Sequence, residues 1–423
     1  MTKLINSLDW RWLGSRLWLA AQVGSVLMVL FCAGVAVTIF LDLKAGCHRQ
    51  GTPDYAGFYA AATILREYPA RELYDPKLQD DVLHTRVPGT PPGVHYPFAH
   101  APVLPFLLGP LTGLPFAWSY AAWLVILAGI ACAALMRCRS CLSWPATHVR
   151  GAILLAAAFP PLVLEGWLAG QWAIVGLFWI SLALWLVRRD RPFAGGFVLA
   201  MCLVKPTLLM FALPLLVLSG KPRLLAGTVV GGLALAAVCL LIVGIDGARA
   251  YWDMLTVYGR TMSAGAAHFK TFKHVDLHSF FLLLYGGPGW LPKLSVLAIA
   301  AWFVPLVLAA WWSRAGQSRD GQLLALCATL TGNMLFSAYT PIYDVSLLIP
   351  NVLITGDVIY RRCQQHPDAV LARSFCVFVG LLITAAWVTQ HSAQVYGFQP
   401  LTLVLLAWGC FQIAVISKKP LAD

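Results

Sequence analysis

Apolar residues fill most of this chain in stretches of about 15 to 25 positions, long enough for an α-helix to cross a hydrocarbon core about 30 Å thick. Within them apolar and polar positions do not alternate, so the pattern predicts helices and not the strands of a barrel. The stretches fall at roughly 17–41, 118–137, 151–165, 171–188, 193–205, 206–219, 223–244, 291–312, 321–338, 343–358, 373–389 and 397–416. They predict an all-α polytopic membrane protein, residues 1–423 forming a single domain of about twelve transmembrane helices.

Two stretches resist a simple span. Residues 97–115 are apolar but hold Pro97, Pro102, Pro105, Pro110 and Pro115, which predict a re-entrant or broken segment. Residues 193–219 read either as one helix kinked at Pro206 or as two short ones. Two long polar loops interrupt the pattern, at about 42–100 and about 245–290. In the first, Asp54 leads a helical run through Tyr55, Phe58, Tyr59, Ala62 and Leu65, and Asp75-Pro76 opens a second run ending near Pro88. These predict two amphipathic helices lying on the membrane.

Composition sharpens the picture. Only 11% of the residues are charged and 59% are hydrophobic, against about 25% charged in ordinary globular proteins. The net charge of +12 is scattered in short clusters between apolar stretches and forms no basic face, so the expected partner is the lipid bilayer and not nucleic acid. If the clusters at 137–150, 188–191, 221–223, 314–319, 361–373 and 418–419 face the cytoplasm, both termini lie inside and the two large loops outside. Lys3, Arg11 and Arg16 precede an apolar stretch reaching Leu41, read as a retained first helix in the cell membrane. Most of the eleven cysteines lie in apolar stretches, and Cys138-x-x-Cys141 lacks a second ligand pair, so neither a disulfide framework nor a metal site is expected.

Chemistry is then sought on the outer face. Asp54 is either a helix cap or a base, whereas Asp75, ahead of a proline, is a cap. Lys205 stands inside an apolar stretch, where an ammonium costs about 2.5–3.5 kcal/mol. It either snorkels from a helix end or, with Pro206 opening the helix, binds an anion, phosphate above all. Glu165 and Gln171 flank a short turn, Gly166 to Gly170, and carry polar groups that topology does not require. The second loop gathers His268, Lys270, Lys273, His274, Asp276 and His278. His274 and His278 would share one face if their segment were helical, but they have no zinc-protease spacing and no glutamate base. Asp344, after Tyr339-Thr340-Pro341-Ile342-Tyr343, either caps a helix or joins a polar site. Walker, Gly-x-Ser-x-Gly and Rossmann patterns are missing, and no cofactor is expected.

Taken in order, Asp54-Tyr55 with Phe58-Tyr59 and Ala60-Ala61, Leu73-Tyr74-Asp75, Tyr96-Pro97 with Pro110-Leu111 and Leu114-Pro115, Gly170-Gln171 and Lys205-Pro206 resemble glycosyltransferase family 87. The resemblance runs from about residue 51 to about 357. It implies a GT-C-like membrane bundle and a polyprenyl-phosphate-mannose-dependent α-1,2-mannosyltransferase acting on a glycan or glycolipid. It also implies that Asp54 is the catalytic residue. The mechanism expected from the residues is an inverting transfer with Asp54 as general base, Lys205, His274 and His278 on the donor phosphate, and Tyr55, Tyr59, Tyr96, Glu165, Gln171 and Asp344 lining the substrate site. Outside the resemblance, a transporter or flippase of lipid-linked sugars would need a similar apolar bundle. Such proteins tend to show broken helices in two related halves, and none are visible here. An assembly subunit, with Asp54 only a cap, is the third reading.

Overall fold

The structure, a computed structural model, describes residues 10–47, 53–91, 93, 95–263 and 271–417, with backbone alone at 10–17 and 257–263. Lys3, His268, Lys270, Lys418 and Lys419 lie outside the described residues. Among the described residues the fold is all-α. The first half holds α1 (Trp10–Lys44), α2 (Tyr55–Glu67), α3 (Pro76–Arg86), α4 (Val103–Leu108), α5 (Phe116–Arg139), α6 (Ala146–Ala157), α7 (Ala173–Arg188), α8 (Pro192–Leu199) and α9 (Ala212–Leu218). The second holds α10 (Pro222–Ser263), α11 (Leu277–Leu284), α12 (Trp290–Trp312), α13 (Arg314–Gln317), α14 (Arg319–Phe336), α15 (Ile349–Gln365), α16 (Ala369–Tyr396) and α17 (Pro400–Ser417).

Eight helical segments among the described residues are long and apolar enough to cross a membrane, and Val103–Gly113, α7 and Pro192–Val204 are shorter apolar helices. Large apolar side chains cover the outside of the long helices, with Leu241 86% and Val125 73% exposed. Such a surface needs lipid around it. Polar groups turn inward instead: Asn333, Asn351 and Gln412 are buried, and Gln412 donates to Asn351 Oδ1 and Thr355 Oγ1.

The structure settles three stretches. The helix α2 does not lie on a membrane surface: every residue from Tyr55 to Ile64 is buried, because the chain from 70 to 115 folds around it. The second long loop, expected at about 245–290, is helical in its first part: α10 bends at Gly244 (φ +66°) and continues to Ser263. Tyr251 on that extension packs against Tyr74 with ring centroids 5.0 Å apart, which ties it to the first loop. Residues 193–219 are broken and not kinked. After α8, 3-10 turns at Ala200–Val204 and Pro206–Leu208 flank an extended Lys205 before α9. The break is tolerable in an apolar setting because Asn333 serves it: its Oδ1 accepts from the Phe211 and Ala212 amides, each at 3.0 Å, and its Nδ2 donates to Thr207 C=O at 3.0 Å. The segment 97–115 forms only α4 and a 3-10 turn, Gly109–Gly113.

The two ends of the bundle differ in character. Arg139, Arg188, Arg319, Arg361 and Arg373 all stand at one set of helix ends. At the opposite ends of α7, α14, α15 and α17 stand Gln171, Thr340, Asp344 and Gln399. The length of α7 alone separates them by about 24 Å.

Candidate active site

Asp54 is the residue before α2, in helical backbone geometry (φ −59°, ψ −20°), and its side chain makes no capping bond. The cap reading of Asp54 is therefore overturned. Its Oδ2 accepts instead from Gln171 Nε2 at 2.5 Å, across 117 residues of sequence. Asp75, by contrast, caps α3 as expected, accepting from Lys77 N–H at 2.9 Å.

The turn carrying Gln171 is held from three directions. Tyr120 Oη donates to Leu168 C=O at 2.6 Å and Trp123 Nε1 to Gly170 C=O at 2.8 Å, both from α5. The Tyr55 amide donates to Ala169 C=O at 3.0 Å, so the first residue of α2 locks the turn beside Asp54. Gly170 has φ +74°, and a Cβ there would stand 2.8 Å from Tyr55 Cβ. We expect Gly170→Ala to destabilise the protein by about 2–3 kcal/mol through left-handed backbone strain and overpacking. Moving Gln171 will also lower activity by more than the stability loss explains. Thermal unfolding with initial rates measured well below the transition checks both, and unchanged rates in folded protein would show that Gln171 need not sit where it does.

Tyr96 completes this side. Gly57 makes room for it, since a Cβ on Gly57 would meet Tyr96 Cβ and its carbonyl oxygen at 2.9 Å each. Partial burial, and then the Asp54 charge, push the Tyr96 phenol up to about 12. Tyr55 and Tyr59 face inward. Tyr55 Oη pairs with Ser119 Oγ at 2.7 Å and Tyr59 Oη donates to Leu114 C=O at 2.9 Å, while their rings pack on Phe116. Their hydroxyls are committed to the interior. Glu165 is half-buried on a π-helical turn, Pro161–Trp167, and takes no part in the Asp54–Gln171 bond.

Lys205 reaches Asp344: Nζ donates to Oδ2 at 2.5 Å, with side chains 11% and 1% exposed. The ammonium also lies 4.7 Å from the centre of the Tyr343 ring. Asp344 is thus not a helix cap, since Pro341 precedes its 3-10 turn (Ile342–Leu348) and no side chain caps it. Its Oδ1 is buried without a hydrogen-bond partner among the described residues.

His100 joins the two halves and was not singled out from the sequence. Its ring stands 5.3 Å from that of Phe58, one turn along α2 from Asp54. The next amide, Ala101 N–H, donates to Val204 C=O at 2.9 Å, beside Lys205. Both ring nitrogens are shut off from solvent without a partner among the described residues. Burial, and then the Lys205 charge, push the imidazole down to about 3, so it stays neutral at working pH. A histidine among five prolines in an apolar loop was the available signal.

His274 and His278 flank Tyr339, with ring centroids 5.7 and 6.1 Å away. Asp276 between them anchors the segment: its Oδ1 accepts from Ser279 N–H at 2.9 Å, and its Oδ2 from Ser279 Oγ and Thr340 N–H, each at 2.9 Å. Burial pushes the Asp276 carboxyl up to about 6 despite these bonds. Val275 N–H donates to Thr340 C=O at 2.8 Å, which ties the histidines to the strand of chain leading to Asp344. No group of three or more His, Cys, Asp or Glu among the described residues is arranged to hold a metal ion.

Fold and site define a multi-pass helical membrane protein with the Asp54–Gln171 and Lys205–Asp344 pairs at one end of its bundle and an arginine-rich set of helix ends at the other. The family model of glycosyltransferase family 87 matches residues 96–338, more than half of the chain, and the chain belongs to that family. It is a membrane glycosyltransferase. The matched region takes in Tyr96, His100, Gln171, Lys205, His274 and His278, while Asp54 and Asp344 lie outside it. No curated protein and no solved structure matches the chain.

Proposed function

We propose that this protein transfers a sugar, mannose in the first instance, from a polyprenyl phosphate to a hydroxyl of a glycan or glycolipid on the outer face of the cell membrane. About twelve crossings would come from the eight long segments together with α7, the two arms of the broken 193–219 segment and α14. The arginine-bearing helix ends then face the cytoplasm with both termini, and the Asp54 end faces outward.

The observation that carries the reading is the Asp54 carboxylate, free of capping duty, half-exposed and oriented by Gln171. A general base needs this: one oxygen fixed by a donor and lone pairs left for an acceptor hydroxyl. In one displacement, Asp54 takes the acceptor proton as the acceptor oxygen bonds to the anomeric carbon. The electron pair of the breaking carbon–oxygen bond goes to the departing polyprenyl phosphate, and the anomeric configuration inverts.

Charge growing on that phosphate calls for a fixed cation out of bulk water. Lys205 supplies it. An ammonium has three N–H groups, and Asp344 takes one and sets its direction. His100, His274 and His278 add neutral or weakly basic rings around the leaving group, and Tyr96 flanks the acceptor. Tyr55, Tyr59 and Glu165 act here as scaffold.

The test is purified protein with synthetic polyprenyl-phosphate mannose and a panel of glycan and glycolipid acceptors. An inverted glycoside product is expected. Parallel arms with arabinose and glucose donors identify the sugar if mannose fails. Translocation of a lipid-linked sugar across vesicles without any transfer product would replace this reading by the flippase.

A further inference from the structure

At the arginine end of the bundle, about 24 Å along α7 from Gln171, a cavity of about 250 Å³ is lined by Arg188, Arg189, Arg319, Arg361, Ser140 and Trp185. Asp320 completes its wall. The arginines are not simply surface charges marking topology. Asp357, fully buried, accepts from Arg188 Nη2 at 2.8 Å, from Arg361 Nε at 3.1 Å and from the Ser143 amide at 2.5 Å. Arg361 Nη2 also donates to Asp320 Oδ1 at 2.6 Å.

Those two carboxylates balance two of the four guanidinium groups. Arg189 and Arg319 have no carboxylate partner among the described residues. Arg319 donates to the Arg188 carbonyl, and Arg189 lies 5.5 Å from the centre of the Trp185 ring, with Arg137 at 5.2 Å. Arg188 Nη1 is shut off from solvent with no hydrogen-bond partner among the described residues. Arginine does not shed its charge, so the cavity carries a standing excess of about two positive charges and open guanidinium donors. Its volume falls below the 300–1,000 Å³ or so of drug-sized ligand pockets, so it suits a headgroup-sized anion.

We infer that this cavity binds a phosphate group, a site separate from the sugar-transfer centre. Paired guanidiniums match the oxygens of a phosphate in bidentate fashion. The position, at basic helix ends beside a tryptophan, is the depth at which anionic phospholipid headgroups lie. A phosphodiester headgroup and a free phosphate present the same oxygens, and the experiment separates them.

The full chain is purified in detergent and delipidated, then titrated with inorganic phosphate, against chloride and sulfate at matched ionic strength, while its unfolding temperature is followed. Separately it is placed in nanodiscs of phosphatidylcholine with or without phosphatidylglycerol, and retained lipid is counted by native mass spectrometry. Phosphate-selective stabilisation, or preferential retention of phosphatidylglycerol, is expected. An Arg189→Ala/Arg319→Ala variant should lose at least tenfold in that affinity with sugar transfer unchanged. Should it fail to fold, Arg189→Lys/Arg319→Lys keeps the charge and removes the fork, and still weakens binding. Stabilisation by phosphate alone identifies a soluble ligand, and retention of phosphatidylglycerol alone a lipid. Equal affinity in folded variants, or no preference for phosphate in either arm, overturns the site.

Discussion

Asp54→Asn will lower sugar transfer by about 10²–10⁴-fold, the range a positioned general base supplies, and will leave the protein folded and inserted. Both halves follow from the geometry. Asparagine keeps the size of the side chain, and its amide oxygen can still accept from Gln171 Nε2, which now donates at 2.5 Å. What disappears is the ability to take a proton. Had Asp54 capped α2, the same change would disturb the helix start, but no capping bond exists to lose. The unfolding temperature should therefore stay within the spread of ordinary surface substitutions, about 0.5 kcal/mol in stability. Rates measured at saturating donor, with melting curves on the same preparation, decide it. Turnover within threefold of the parent would remove Asp54 from the chemistry.

A second large effect is expected at Lys205. Lys205→Met leaves Asp344 as an almost fully buried carboxylate with neither oxygen paired, since Oδ1 already lacks a partner. Breaking a buried pair in this way costs about 3–5 kcal/mol. Pairing the change with Asp344→Leu removes both charges, and because two well-packed apolar groups often replace a buried ion pair at little cost, most of the stability should return. Sugar transfer should not. The combination separates the structural duty of Lys205 from its proposed duty toward phosphate, since a purely structural lysine would give back activity along with stability. Melting temperatures and single-turnover rates for the two single variants and the double variant complete the cycle.

The reach of sequence reasoning ended where partners lie far apart in the chain. Lys205 and Gln171 stood out because polar groups in apolar stretches demand a reason, and the structure gives each a carboxylate partner. Which carboxylate could not be read. Asp54 and Gln171 are 117 residues apart and Lys205 and Asp344 139 apart, distances closed only by the order in which helices pack. Asp54 misled capping rules for a local reason: a residue ahead of a helix usually caps it when its backbone is extended, and here the backbone is already helical. Asp344 failed as a cap for a different reason, being the third residue of a short 3-10 turn and not the residue before it. The burial of α2 was hidden because its small residues, Ala60, Ala61 and Ala62, look the same whether a membrane surface or a protein wall covers them.

Gly244 also escaped notice, since a bend and a loop leave similar traces in hydropathy. The sequence 245–256 is polar enough to suggest a loop, yet Tyr251 and Tyr74 hold it as helix. The all-α bundle with several membrane-length helices was legible, because apolar length is a physical requirement of the bilayer and not a preference. Of the roughly twelve expected spans, however, only eight stand as long apolar helices among the described residues.

The burial of the Lys205–Asp344 pair has one more consequence. Mobile ions screen charges that water can reach, over about 8 Å at physiological ionic strength, but they do not enter a pair 11% and 1% exposed. On the proposed outward-facing reading, the Lys205 cation would keep its strength toward a departing phosphate as the surrounding medium swings between dilute and saline. A buried ion pair is in this respect insulated from the medium on either side of the membrane.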